Sequence, residues 1–144
     1  MPIFIKGGKN MTILVVVAHP DDEVLGCGGT IARHVDNGDK VFVLFLSDGV
    51  TSRANKSDEK AKLMRIKSGI NASVCLGAEP PQYLNFLDNK MDTVPFLDVV
   101  QSVERVVSEI NPTIVYTHHM GDLNIDHQIT HKAVMTAVRP QPNC

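Results

Sequence analysis

Short apolar runs alternate with longer amphipathic segments along the chain. The runs at 12–18 (TILVVVA) and 40–47 (KVFVLFLS) are continuous and rich in branched residues, and the run at 113–117 (TIVYT) is shorter. Such runs are typical of strands that are covered on both faces of a sheet. A weaker run at 73–76 (SVCL) predicts a fourth strand.

Three segments between these runs have the signals of helices. The segment 24–37 has apolar residues near helical spacing and ends at Gly38, which is a common stop residue. The segment 57–71 begins with Ser57 as an N-cap, followed by acidic residues. The segment 96–110 carries a stripe of valines and isoleucine and ends before an Asn-Pro pair. We therefore predict three helices in these segments.

Strands that alternate with helices predict parallel strands joined by right-handed crossovers. The expected fold class is therefore α/β, a Rossmann-like three-layer sandwich with a mostly parallel sheet. The segment 80–95 has turn signals and is predicted to be a long connection. Ligands bind beyond the carboxyl ends of the strands in such sheets, so we expect the active site there. This rule brings together HPDDE, SDGVTSR and HHMGDLNIDH, which follow three of the predicted strands.

Composition narrows the class of protein. A chain of 144 residues with 43% hydrophobic residues suits a single domain, which we place at 11–144, after an N-terminal extension at 1–10. The net charge of −2, with no basic cluster, argues against a nucleic-acid partner. Three cysteines without metal-type spacing are expected to be buried or terminal free thiols in a reducing compartment. No signal-peptide core or membrane span is found, so we expect a cytoplasmic protein.

The polar residues after the first and third apolar runs contain a candidate metal site. His19 and Asp22 lie three residues apart in a turn that enters a helix, so their side chains can converge. His127 follows a different strand. Asp126 beside it is expected to contact a metal-ligating side chain rather than the metal itself. Two histidines, one carboxylate and an open fourth position are the usual arrangement of a catalytic zinc. The sequence therefore predicts Zn²⁺, or another divalent metal, held by His19, Asp22 and His127.

Asp21 is expected to act as the general acid and base, since a carboxylate beside the metal can take and return a proton. The simpler alternative is that these acids only cap a helix. The spacing Asp-x-Asn-x-Asp in the later motif also resembles the start of a calcium loop, but His127 occupies the position where that loop needs glycine.

Other polar and glycine positions near the site have two interpretations each. Gly26, Gly28 and Gly29 could form a nucleotide-binding loop, but their spacing differs from GxGxxG. The preferred interpretation is that they let the first turn of the helix pack closely against the sheet. Arg53 is a candidate to hold a substrate hydroxyl or phosphate, or else a solvated loop charge. At most one of the adjacent His118 and His119 should face the site.

The segments AHPDDEVLGCGGTIA, SDGVTSR, FLDNKMD and THHMGDLNIDHQITHKAV together resemble the LmbE-like (PIG-L) N-deacetylases, in the order of that family. The resemblance implies a zinc-dependent hydrolase that removes acetyl from an N-acetylglucosamine-type small molecule or glycoconjugate. It places metal ligands at His19, Asp22 and His127 and the base at Asp21, which agrees with the assignment from the residues. Substrate contacts are then expected from Arg53, His118 and Asn124.

Two departures from the family pattern change what is expected. Many members have histidine where this chain has Asn124, and an amide can donate a hydrogen bond to an oxyanion but cannot be a cation. Members are also usually longer, so the C-terminal part of the family fold is expected to be missing. A shortened parallel sheet exposes an edge, which predicts a homo-oligomer. The alternative function is a truncated, metal-binding oligomeric module with little or no catalysis.

Overall fold

The computed structural model describes residues 10–50 and 59–140. Four strands form one sheet, namely β1 (Thr12–Val17), β2 (Lys40–Ser47), β3 (Gln82–Phe86) and β4 (Ile114–Tyr116). The helices are α1 (Asp22–Asp36), α2 (Glu59–Leu76), α3 (Phe96–Ile110) and α4 (Ile125–Ala137), with a short 3₁₀ turn at Met91–Thr93. The α/β class expected from the alternating pattern is confirmed.

All strand pairs are parallel, and the order across the sheet is β3-β2-β1-β4. The chain moves outward from β1 to β2 and β3, and then returns to place β4 on the other side of β1. Val15 of β1 is in register with both Val43 of β2 and Tyr116 of β4. The strand order therefore reverses between β1 and β4, which is where ligands bind in open sheets of this kind.

The two faces of the sheet build two apolar clusters. Leu14, Val16 and Leu44 point to one face and pack with α3 and α4, whereas Ile13 and Val15 point to the other face, which α1 covers through Ile31. This alternation is why β1 and β2 are apolar on both sides, as strands between two helical layers must be.

The predicted strand at 73–76 is wrong, because those residues form the last turn of α2. Gly77 follows the end of that helix, and its positive φ of 73° is accessible to glycine at low cost. The third strand lies instead inside the predicted connection 80–95, at Gln82–Phe86. It is an edge strand beside β2 and is only partly buried, so its polar and apolar mixture gave no continuous apolar run.

The predicted helices are confirmed where the structure describes them. The segment 96–110 matches α3, and Asn111 ends it in a left-handed conformation, with φ 50°. The segment 24–37 matches α1 except for Asn37, which is the C-cap, and Cys27 interrupts the helical geometry. Ser57, the predicted N-cap, lies outside the described residues. None of the helices in the described part of the chain is long and apolar enough to cross a membrane.

The structure corrects the expected burial of the cysteines and the expected packing of the glycines in α1. Cys75 is exposed rather than buried, because it lies on the outer face of α2, while Cys27 is half-buried and Cys144 lies outside the described residues. A Cβ added at Gly26 or Gly29 would meet no atom within 4 Å, so these glycines do not pack closely against the sheet.

Candidate metal centre

His19 lies two residues after the end of β1, and its side chain is 12% exposed. Its Nε2 lies 3.1 Å from Oδ1 of Asp88 and 3.2 Å from Oδ2 of Asp126. A carboxylate beside one ring nitrogen holds the proton of neutral histidine on that nitrogen. In the neutral ring Nε2 is therefore the donor, and the lone pair of Nδ1 points to the other side, toward Asp22 and His127.

His127 is presented by the first turn of α4. The side chain of Asn124 caps this helix, since its Oδ1 accepts hydrogen bonds from the amides of Asp126 and His127. The Nδ1 of His127 lies 2.9 Å from Oδ2 of Asp122, so the neutral ring has its proton on Nδ1. Its Nε2 is then a lone-pair donor on the side of His19.

The three predicted ligands meet at one point between β1 and β4. Nδ1 of His19 and Nε2 of His127 are 3.2 Å apart, and Oδ2 of Asp22 lies 3.3 Å from the first and 3.2 Å from the second. Zn–N and Zn–O bonds of about 2.05 Å in tetrahedral geometry place neighbouring ligand atoms about 3.3 Å apart. These residues therefore fit a divalent cation, both in spacing and because three electron-pair donors face one another.

The charges around His19 and Asp22 support the same interpretation. Burial disfavours a charged His19 ring, but hydrogen bonds to Asp126 and Asp22 outweigh burial and raise the pKa of His19 to about 10. Burial also opposes ionisation of Asp22, yet the contacts of its carboxylate with His118 and His19 hold its pKa well below the ordinary value. Negative charge is thus concentrated where a proton or a metal ion can neutralise it.

Asp126 supports His19 from the protein interior. Its side chain is fully buried, and it accepts hydrogen bonds from the amides of Asn89 and Met91 at 2.7 and 3.2 Å. Because these amides come from the segment after β3, the carboxylate ties that segment to His19. Asp88, in the same segment, contacts the same nitrogen of His19 and was not among the site residues predicted from the sequence.

His118 lies beside the cluster, and His119 does not. The ring of His118 stacks on that of His127, with ring centres 3.9 Å apart, and its Nε2 is 3.4 Å from Oδ2 of Asp22. The amide of Ala18 donates to the same Nε2 at 2.9 Å. His119 is exposed, and its Nδ1 accepts from the amide of Gly121.

Asp21 is the N-cap residue of α1, but its carboxylate makes no cap hydrogen bond. The side chain is 48% exposed and lies 3.0 Å from Nη1 of Arg65, which comes from α2. Arg65 was missed by sequence reasoning, since no spacing relates α2 to the motif at 19–23. The arginine that was predicted, Arg53, lies outside the described residues.

An all-parallel α/β sheet with a His-Asp-His cluster at the carboxyl ends of β1 and β4 defines a domain with a candidate metal centre. The chain belongs to the PIG-L family, described as GlcNAc-PI de-N-acetylases, whose family model matches residues 14–138. The resemblance found in the sequence is thereby confirmed, and proteins with deacetylase names dominate the relatives.

Two curated relatives show the range of that family. The uncharacterized deacetylase YaiS of Escherichia coli K12 is 30% identical over 142 residues, which cover 95% of this chain and 73% of YaiS. A probable N-acetyl-α-D-glucosaminyl L-malate deacetylase 2 of Bacillus cereus is 29% identical over 90% of this chain and 62% of its own length.

Solved structures share the fold. The N,N′-diacetylchitobiose deacetylase of Pyrococcus horikoshii superposes with a TM-score of 0.78 at 23% identity, covering 88% of this chain and 49% of that chain. The 4-carboxy-2-hydroxymuconate hydratase GalB of Pseudomonas putida KT2440 gives a TM-score of 0.77 at 27% identity, with 88% and 55% coverage. This chain thus spans about half the length of these two proteins.

Proposed function

We propose that this chain is a zinc-dependent N-deacetylase that hydrolyses the acetamide of an N-acetylglucosamine-type substrate. The convergence of Nδ1 of His19, Oδ2 of Asp22 and Nε2 of His127 within 3.3 Å carries the proposal. The reaction class, deacetylation, is taken from the names of the relatives. The N-acetylglucosamine part of the proposed substrate is taken from the name of the relative that acts on N-acetyl-α-D-glucosaminyl L-malate.

Each side chain then has a defined task. A zinc ion held by His19, Asp22 and His127 would polarise the acetyl carbonyl and make water more acidic. Asp21 takes a proton from the attacking water as the new C–O bond forms, and it delivers that proton to the nitrogen as the C–N bond breaks. The products are acetate and a free amine.

Substrate contacts are proposed for three further residues. His118 lies beside the cluster and can face the developing oxyanion, and the amide group of Asn124 can donate to it while its oxygen caps α4. Arg53 retains its proposed role for a substrate hydroxyl or phosphate. The half-exposed guanidinium of Arg65 beside Asp21 is a second cation for this purpose.

Metal content tests the centre itself. Protein purified without added metal should contain about one zinc per chain by mass spectrometry. His127→Ala should lose it, whereas His119→Ala, which changes an exposed histidine in the loop between β4 and α4, should retain it. A parent protein that cannot be loaded with zinc would refute the proposal.

Turnover tests the reaction. Acetate release from N-acetylglucosamine conjugates should be lost in Asp21→Asn while zinc remains bound. Because GalB is a hydratase with the same fold, unsaturated hydroxy acids belong in the same screen. Hydration without acetate release would replace the deacetylase proposal with the hydratase class.

The alternative function is a metal-binding oligomeric module with little or no catalysis, and the edge of the sheet is the observation that favours it. β4 is an edge strand of three residues that is only partly buried, so a second copy could cover it. Multi-angle light scattering that shows a dimer with bound zinc but no turnover would favour this alternative. A zinc-loaded monomer would exclude it.

A further inference from the structure

Glu23 is a buried acid in the first turn of α1 that is neither a proposed metal ligand nor the proposed base. Only 1% of it is exposed. Its Oε2 accepts a hydrogen bond from the backbone amide of Asp21 at 3.0 Å, and the amides of Glu23 itself and Val24 also hydrogen-bond to this carboxylate. One side chain therefore satisfies amides at the start of α1 that have no partner within the helix.

This contact resembles the glutamate half of a capping box, but it is shifted by one residue. In the complete motif the N-cap side chain accepts from the N3 amide, and a glutamate at N3 accepts from the N-cap amide. In α1 the glutamate stands at N2, because N3 is Val24, and the carboxylate of Asp21 has no cap hydrogen bond. Asp21 instead extends toward Arg65, with nearly half of its side chain exposed.

The backbone of Asp21 needs this support. Its φ of 154° is in the positive range that residues with side chains rarely adopt. A buried carboxylate that binds the amide of Asp21 stabilises the peptide on the N-terminal side of that torsion. Without it, an ordinary cap conformation would let the Asp21 carboxylate fold back onto the first turn of α1.

We infer that Glu23 is a positioning residue for the reaction, which holds the Asp21 backbone and takes over helix capping so that the Asp21 carboxylate is free to transfer a proton. The inference rests on the proposed function of Asp21 as the base. It also explains why the chain buries a third acid directly after two others, where a purely structural cap would need one serine or threonine.

Two substitutions separate positioning from simple stabilisation. Glu23→Gln keeps an oxygen that can accept from the Asp21 amide, whereas Glu23→Ala removes the acceptor. Glu59→Ala, which removes an exposed acid from the first turn of α2, is the matched control for general helix effects. All three proteins should bind zinc as the parent does, because none of the changes removes a proposed ligand.

The first readout is hydrogen exchange of the Asp21 amide, measured by NMR on the zinc-loaded chain. Exchange should accelerate about tenfold or more in Glu23→Ala and remain near the parent rate in Glu23→Gln and Glu59→Ala. An unchanged rate in Glu23→Ala would overturn the inference, because the amide would then not depend on Glu23.

The second readout is turnover. In Glu23→Ala, kcat should fall about tenfold or more with KM nearly unchanged, and Glu23→Gln should restore most of it. A parent-like kcat in Glu23→Ala, or an equal loss in Glu59→Ala, would also overturn the inference. A parent chain without any turnover would refute the proposed function, and with it the positioning role of Glu23 in the reaction. In that case the exchange rates would still show whether Glu23 holds the Asp21 backbone.

Discussion

Replacing Asp126 with alanine is expected to weaken zinc binding without removing a ligand. The carboxylate lies 3.2 Å from Nε2 of His19 and is fully buried, so it fixes which nitrogen of His19 carries the proton. Loss of such a contact typically lowers metal affinity about 10- to 100-fold, which corresponds to about 1.4 to 2.7 kcal/mol. Because Asp88 still contacts the same nitrogen, we expect a loss near the lower end of this range.

The same substitution should also lower the free energy of unfolding. Asp126 accepts from the amide of Met91, which is 1% exposed, and an unsatisfied buried amide costs about 1 to 3 kcal/mol. Asp126→Asn retains an oxygen that can accept this bond, and should therefore recover most of the stability. Its neutral amide should restore less of the zinc affinity.

Competition with a chromophoric chelator measures the affinity, and urea denaturation of the zinc-free chain measures the stability. Asp122→Ala is the matched control, since Asp122 contacts the outer nitrogen of His127 in the same way but is 36% exposed. An exposed pair contributes about 1 kcal/mol or less, so its loss should weaken zinc binding by about fivefold at most. A double variant, Asp126→Ala with Asp88→Asn, removes both carboxylate contacts to Nε2 of His19. If this variant and Asp126→Ala both bound zinc as tightly as the parent, the idea that these buried carboxylates orient His19 would be refuted.

Three further outcomes follow from the site and the core. The pKa of His19 is about 10 in the metal-free chain, so zinc binding at pH 7 should release a proton from this residue. Calorimetry in buffers of different ionisation enthalpy detects that proton. The apparent zinc affinity should also rise about tenfold per pH unit between pH 7 and 9. Leu14→Ala should reduce stability by about 2 to 5 kcal/mol in urea denaturation, because Leu14 is fully buried, whereas Leu123→Ala, at a residue 96% exposed, should change it by less than about 0.5 kcal/mol. Gly77→Ala should destabilise by about 1 kcal/mol or more in thermal denaturation, because φ is 73° and an added Cβ would lie 2.7 Å from Cγ1 of Val35.

The sign of the His19 effect on the metal-free fold follows from the same shift. A folded-state pKa of about 10, against an ordinary 6.5, means that protonation of His19 stabilises the fold fully below pH 6.5. This stabilisation is lost as the pH rises through 10. Zinc-free protein should therefore become less stable between pH 7 and 10, while zinc-loaded protein should not show this loss.

The elements that sequence predicted well are those whose signals are local. The apolar runs of β1 and β2 are continuous because helices cover both faces, and α3 has its own valine stripe and a defined Asn-Pro end. β3 was missed because an edge strand needs no such run, and the last turn of α2 was mistaken for a strand because four residues cannot reveal a period.

The candidate site likewise contains residues that the sequence could predict and residues that it could not. His19 and His127 are 108 positions apart, yet each follows a strand, and the reversal of strand order between β1 and β4 brings any two such segments together. Their convergence therefore needed only the topology. Asp88 and Arg65 depend instead on how the segment after β3 and the face of α2 pack against this edge, which no residue pattern specifies.

Glu23 shows the limit of the motif most clearly. The three acids at 21–23 look equivalent in the sequence, but the structure gives them three different environments. Asp22 faces the two histidines, Asp21 is exposed beside Arg65, and Glu23 is buried against the helix amides. Crowded carboxylates repel one another, and separating them into these environments lowers that repulsion. The fold therefore tolerates consecutive acids because each can have a different partner: a cation site, an arginine and a helix N-terminus.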